Sequence, residues 1–361
     1  MERERGPVAG AALRPADGGD RGAVRRRGGR HPVRHVTLRR DRAARGGRAP
    51  RARRVTVEAR AKLNLGLAVG PRRPDGYHDL ATVFQSISLA DTLVAEPARR
   101  GFTLRVRHAD ASLAPRPGAL ARRALVPAGA GNLVLAAARA VAARAGLEAG
   151  ARFTLVKRIP AQAGLGGGSA DAAAAIAALD VLYGLRLGRS LRLEMAAKLG
   201  SDVPFAIAGG TALGLGRGER LTPLTLERPF RCVIAVPDWR VPTALAFRLI
   251  DRSKYGLTRW QGKLKVAREI GRRRVNPLRA LRLGNTFEEV LGGRRRDFEL
   301  LCTRLRDAGA IAVRMTGSGS AVFGLLGPET SCGDFAGRFA GNEPLFAARS
   351  VRAGLRVRKS P

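Results

Sequence analysis

Residues 159–173 read Ile-Pro-Ala-Gln-Ala-Gly-Leu-Gly-Gly-Gly-Ser-Ala-Asp-Ala-Ala, with Gly164, Gly166, Gly167 and Gly168 crowded between two regular patterns. Upstream, residues 152–158 carry the β-rich alternation of a strand. Downstream, residues 170–182 form an alanine-rich run of strong helix propensity. Glycine lets the main chain approach a ligand and adopt positive φ, so amide N–H groups can converge where a helix N-terminus adds partial positive charge. The chemistry expected there is anion binding. A Walker A loop needs Lys directly after its last glycine, and here Ser169 follows Gly168. A dinucleotide fingerprint started at Gly164 or Gly166 meets Ser169 or Asp171 where its third Gly or Ala belongs. That leaves a phosphate cradle of another kind, or a flexible glycine linker.

Three other stretches hold residues that could act with such a cradle. In residues 55–69, Val55, Val57 and Ala59, then Leu63, Leu65 and Leu67, alternate as a strand with one buried face, which puts Lys62 and Asn64 opposite the leucines. Periodicity alone makes Lys62 an exposed strand lysine. Ser201 and Asp202 precede Val203-Pro204, a placement that suits a helix start and makes Asp202 a helix cap unless a reaction needs its carboxylate. Residues 311–325 are two β-like runs joined by Thr-Gly-Ser-Gly-Ser, which alone reads as a hairpin turn.

The elements that must position these residues follow from the remaining patterns. Residues 82–89 and 91–95 read as a second strand and its continuation, and 102–106 as another. A surface loop rich in Ala, Pro, Arg and Gly covers 108–131. Asn132 is the N-cap expected for a helix running to Gly146, and Gly184 the stop for the alanine-rich helix. Residues 209–218 are glycine-rich but lack a following helix, so they read as a strand and turn. Pro223 and Pro229 bracket a polar link near 222–230, after which 231–237 opens a second domain as a buried strand. A helix and loops are expected across the basic segment 251–282.

Composition bounds the function classes. The 361 residues suffice for two domains, and no apolar run approaches the roughly 18 residues of a membrane span. Cys232, Cys302 and Cys332 are scattered and odd in number, and His31, His35, His78 and His108 form no metal-binding pattern, so neither a disulfide framework nor a protein-built metal site is expected. A reducing cytoplasm fits this usage. The net charge of +37 first suggests nucleic acid. Residues 1–54 hold 17 arginines against 5 acids, yet most of the excess is spread over the rest of the chain, which contains all seven lysines. With no aromatic-interleaved basic motif, a solvated basic surface is favoured over a nucleic-acid site. Residues 1–54 show no period able to bury a core and are expected to be disordered, without a secretory h-region.

The glycine stretch closely resembles the phosphate loop of the GHMP kinases, Pro-x-x-x-Gly-Leu-Gly-(Gly)-Ser-Ser/Ala. Ala-Lys-Leu-Asn-Leu at 61–65, followed by a turn ending in Gly76-Tyr77-His78, resembles the first motif of the branch that phosphorylates a cytidine diphosphate-linked methylerythritol. Leu-Gly-Ser-Asp-Val-Pro-Phe at 199–205 resembles the segment carrying the catalytic aspartate, 241–247 the substrate-side Pro-Thr segment, 284–290 the Asn-x-Phe/Leu-Glu segment that starts a helix, and 311–325 the third glycine motif. The resemblance covers about residues 55–355.

This resemblance implies an α+β, two-domain GHMP kinase fold. Residues 55–225 would form a ribosomal S5 domain 2-like N-terminal ATP-binding domain and 226–358 a ferredoxin-like C-terminal domain, with the site in the cleft between them. It implies ATP, with Mg2+ bound to the nucleotide, and a small-molecule substrate with no specific nucleic acid, no membrane, and a monomer or homodimer. Lys62 and Asp202 take the catalytic roles. Pro160, Ala161, Gln162, Ala163, Gly164, Leu165, Gly166, Gly167, Gly168, Ser169 and Ala170 cradle the triphosphate, with Asn132 and Lys157 on the adenine side. Tyr77 and His78 hold the cytosine with help from Thr243 and Phe247, and Asn64, Gly317, Ser318 and Gly319 complete the acceptor side. Ala163 stands where several relatives carry glycine. Two rivals stay open: a sister GHMP kinase, for which Gly-Tyr-His is not required, and a basic nucleic-acid-binding protein with a degenerate kinase core.

Overall fold

The computed structural model describes residues 49–113, 126–253, 257–272 and 274–360. Most of the basic N-terminal segment and the middle of the 108–131 loop lie outside them. The first lobe contains β1 (Arg54–Arg72), β2 (His78–Ala98), β3 (Phe102–His108), α1 (Leu133–Ala145), β4 (Gly150–Lys157), α2 (Gly167–Tyr183), α3 (Arg189–Leu199), α4 (Val203–Ala208), β5 (Thr211–Gly216) and β6 (Arg220–Leu224). Then come β7 (Arg231–Ala235), α5 (Thr243–Arg252), α6 (Leu257–Ile270), α7 (Pro277–Leu281), α8 (Arg295–Asp307), β8 (Ala310–Met315), β9 (Val322–Leu326), α9 (Cys332–Arg338), β10 (Leu345–Arg349) and β11 (Leu355–Ser360).

Two mixed layers result. The first sheet runs β11-β1-β2-β4-β3, and β5 with β6 branches from the start of β2. The second runs β10-β7-β9-β8, wholly antiparallel, with α8 and α9 packed on it through Leu301, Leu305 and Phe335. Its βαββαβ order is the ferredoxin-like arrangement expected. The polar link at 224–231 is where the chain leaves the first sheet for the second.

Strand β1 departs from simple alternation. Its register against β2 shifts between Arg60 and Lys62 and again between Asn64 and Gly66, and such bulges re-aim side chains. Val55, Val57 and Ala59 therefore face α1 and α2, whereas Leu63 and Leu65 face the second sheet. Every residue from Ala61 to Gly70 is buried, so Lys62 and Asn64 are not on a solvent face. Helix α2 is buried nearly all round, and its alanines let it lie close to α1, α4 and β1.

Contacts reach past residue 55 and across residue 226. Ala52 packs in the first core and the Arg51 N–H donates to the Leu182 carbonyl at 2.7 Å, so order precedes residue 55. At the far end β11 pairs antiparallel with β1, and α6 and α7 also pack on the first sheet. Trp260 of α6 covers Gly70 so closely that a Cβ there would sit 2.6 Å from the indole. These segments lie beyond residue 226 in sequence yet contact the first sheet.

Under the glycine loop three buried titratable side chains meet. Lys157 Nζ donates to Asp91 Oδ2 and, at 2.7 Å, to Asp171 Oδ2. Burial works against the Lys157 ammonium, but Asp171 and Asp91 outweigh it and raise its pKa. Burial likewise pushes the Asp171 carboxyl up to about 8, against the pull of Lys157.

A core shared by both lobes predicts joint unfolding. Phe323, fully buried among Leu63, Ile87 and Phe346, should cost about 3–5 kcal/mol when cut to alanine, with one urea transition reported by both lobes. Asp171 supplies a pH test. A carboxyl whose pKa is higher folded than unfolded favours the folded state below the ordinary carboxylate range, and that contribution is lost as pH rises to about 8. Thermal melts of Asp171→Asn should therefore gain on wild type between about pH 5 and about pH 8.

Candidate active site

The glycine loop joins β4 to α2. Gly166 caps α2 at φ +70° without a side chain, the first amides of the helix lack intrahelical partners, and Gly166 and Ser169 line the cavity, whereas Gly167 and Gly168 do not. Gly164 sits at φ +79°, and a Cβ there would lie 2.1 Å from the Thr316 carbonyl oxygen. On Gly166 it would meet Lys62 Cγ at 2.9 Å. Only a bare backbone fits at either place. The loop is pinned by its carbonyls: Leu165 O accepts from Lys62 N–H at 3.0 Å and Ala163 O from Ala321 N–H at 3.2 Å. Ala163 and Leu165 turn their side chains into the shared core, so they hold the loop and leave the ligand side to Gly164, Gly166 and Ser169.

Lys62, Asn64 and Asp202 converge beside it. Lys62 Nζ donates to Asn64 Oδ1 at 2.6 Å and lies 3.5 Å from Asp202 Oδ2. Asp202 stands at the cap position of α4 but makes no side-chain cap bond, so its carboxylate is free of the structural role that position suggested. Asn64 is the hub. Its Nδ2 donates to Thr82 Oγ1 at 2.7 Å, and its Oδ1 also accepts the Gly317 N–H at 2.9 Å. Asn285 fixes the third glycine motif from the other side, donating to the carbonyls of Met315 and Gly317, both at 2.9 Å.

A cavity of about 780 Å³ extends from this pair to an aromatic end. His78 stacks on Phe247 at 5.1 Å between centroids, with Nδ1 2.9 Å from the Gly70 carbonyl oxygen and Nε2 3.2 Å from Asp251 Oδ1. Tyr77 is exposed at the mouth, and the Arg217 guanidinium lies 4.7 Å over its ring. Thr243 Oγ1 and Ser318 Oγ are 2.9 Å apart, which joins the start of α5 to the third glycine motif. Arg240 donates to Gln162 Oε1 at 3.1 Å and so bridges the second lobe to the glycine loop.

The cavity thus gathers Lys62, Asn64, Tyr77, His78, Gln162, Gly164, Gly166, Ser169, Asp202, Thr243, Phe247, Gly317, Ser318 and Gly319. Two expected adenine contacts fall elsewhere. Lys157 is 4% exposed with its ammonium committed to two carboxylates, so it does not face a ligand. Asn132 is spent as the N-cap of α1, accepting from Val134 N–H at 2.9 Å and donating to the Pro127 carbonyl at 2.7 Å. Arg217, Arg240, Thr82 and Phe84 line the cavity without having been singled out. Arginine is so abundant in this chain that residue type cannot mark the two that line the cavity, and Thr82 and Phe84 read as ordinary strand residues.

A model of the GHMP kinases N terminal domain matches residues 132–210, and one of the GHMP kinases C terminal region matches residues 270–331. The chain is 40% identical over 304 residues to the 4-diphosphocytidyl-2-C-methyl-D-erythritol kinase of Pelotomaculum thermopropionicum, covering 83% of this chain and 99% of that protein. It is 40% identical over 308 residues to the enzyme of the same name from Salinispora arenicola, covering 83% and 93%. A crystal structure of 4-(cytidine 5'-diphospho)-2C-methyl-D-erythritol kinase superposes with a TM-score of 0.62 at 35% identity, over 82% of this chain and 98% of that one. The mevalonate kinase of L. major reaches the same TM-score at 15% identity, over 84% of this chain and 98% of its own, and shares the fold. With Lys62, Asp202 and the glycine cradle in one cavity, and relatives matched over nearly their whole length, this chain belongs to the 4-diphosphocytidyl-2-C-methyl-D-erythritol kinase family of the GHMP kinases.

Proposed function

We propose that this protein transfers the γ-phosphoryl group of ATP to the 2-hydroxyl of 4-diphosphocytidyl-2-C-methyl-D-erythritol, a step in non-mevalonate isoprenoid precursor synthesis. The observation that carries this reading is the Lys62–Asp202 pair, 3.5 Å apart, placed between a backbone phosphate cradle and the His78–Phe247 stack. Phosphoryl transfer asks mainly for positioning and charge neutralisation, and the residues divide that work.

The amides at the start of α2 and in the Gly164–Gly168 loop hold the triphosphate at the positive end of a helix. Asp202 aligns the acceptor hydroxyl and accepts its proton as the oxygen bonds to the γ-phosphorus and the bond to the β–γ bridging oxygen breaks. Lys62, held by Asn64, faces the charge that gathers on the transferring group. In this reading the metal is Mg2+ and arrives with the nucleotide. Mg2+ bound that way would neutralise phosphate charge, with the Ser169 hydroxyl the residue placed to contact it or a phosphate oxygen. The cytosine lies against Tyr77 and His78, flanked by Phe247 and Thr243. We read the substrate as a small polar molecule met in the cytoplasm, and the enzyme as a monomer or homodimer; separately, no helix among the described residues is long and apolar enough to cross a membrane.

A coupled assay for ADP release, with and without the cytidylated acceptor, tests the reaction. Asp202→Asn and Lys62→Ala should each lower kcat by about 10²–10⁴-fold while ATP binding by titration calorimetry stays close to wild type. Near-normal turnover in both variants contradicts these roles. His78→Ala should raise the acceptor KM by about tenfold or more and leave the ATP KM unchanged, and a chain that fails to bind cytidine diphosphate compounds is not this enzyme.

A further inference from the structure

Beneath the phosphate loop, Asp91, Lys157 and Asp171 form a link that touches no reacting group yet holds both ends of the loop. Asp91 lies on β2, and its Oδ1 accepts the N–H groups of Arg158 at 2.6 Å and Ile159 at 2.9 Å, the last two residues before Pro160. Its other oxygen accepts from Lys157 Nζ, which also donates at 2.7 Å to Asp171 Oδ2, one turn into α2. A Cβ on Gly167 would stand only 3.2 Å from that ammonium, so the lysine head lies directly under the first residue of the helix. All three side chains are almost completely buried.

Stability alone does not explain such a group. Buried ion pairs are costly to desolvate, and well-packed apolar side chains of similar volume hold a fold as well or better. Charge-assisted hydrogen bonds supply what apolar packing does not, which is fixed direction and fixed distance. The two donors to Asp91 set where the loop begins. The Lys157–Asp171 bond sets where the helix begins.

We propose that Asp91, Lys157 and Asp171 are positioning residues for ATP, fixing the separation between the start of the glycine loop and the first turn of α2 so that the loop amides converge on the triphosphate. This inference rests on the kinase reading above. It assigns Lys157 to the nucleotide side indirectly, through the backbone, where direct contact with adenine is ruled out by its burial.

Steady-state kinetics on the full chain tests it. Asp171→Ala cuts the link to α2 inside a helix that is already alanine-rich, and the ATP KM should rise roughly tenfold, the scale of one lost charged hydrogen bond, with the acceptor KM within about twofold of wild type. Asp171→Asn keeps an oxygen able to accept from Lys157 Nζ and should return the ATP KM to within about threefold of wild type. Asp171→Ser is too short to reach the lysine and carries the alanine expectation if that variant melts early. An unchanged ATP KM in the alanine and serine variants, or both KM values rising together, overturns the inference while leaving the kinase reading standing. A wild-type chain with no ATP-dependent turnover of the cytidylated acceptor sinks both.

Discussion

The contact on which the rest depends is backbone against backbone: Gly164 of the glycine loop on Gly317 of the second sheet's hairpin. A Cβ on Gly317 would lie 2.9 Å from the Gly164 Cα, as little tolerated as one on Gly164 itself. Two main chains from different lobes can approach this closely only when neither carries a side chain. That approach sets the depth of the cavity, because Ser318 and Gly319 then face the same space as Gly166 and Ser169. It also explains why the third glycine motif is more than the hairpin turn its letters suggest.

Polar satisfaction follows from the same constraint. With the loop and the hairpin pressed over β1, Lys62 and Asn64 are taken out of water, and a buried amide or ammonium must find partners there. Asn64 serves Lys62, Thr82 and Gly317 at once, which leaves the ammonium oriented toward Asp202. An alternating strand with a solvent face would have let both side chains wander. The glycine contact therefore does more than shape a groove. It converts an ordinary strand lysine into one held by its surroundings.

Much of this was legible in the residues, and the parts that were not have identifiable reasons. Local signals carried far: Asn132 caps α1 and Gly184 closes α2 in a left-handed turn, as their types and positions indicated. The ferredoxin-like order followed from the family resemblance alone, and the glycine loop was also legible from short-range pattern. Contacts between distant segments were not. Nothing local in residues 355–360 tells them to pair with β1, nothing near Lys157 marks Asp91 as its partner 66 residues away, and nothing distinguishes Arg217 and Arg240 from the arginines around them. Resemblance suggested the catalytic role proposed for Asp202, which position alone would assign to a cap.

The pairing of β11 with β1 bears on the order in which this protein can be assembled. Arg54 lies opposite Ser360, so one edge of the first sheet waits for residues made some 300 positions later. Such long-range pairing is slow because the loop must close before the contact rewards it. Until then β1 presents an open edge, and unpaired edges of apolar strands recruit other chains. The late strand is Leu-Arg-Val-Arg-Lys-Ser, whose three positive charges keep it soluble while it waits and repel a second copy that might take its place. The strand that carries Lys62 and Asn64 is thus guarded during synthesis by the composition of its last partner.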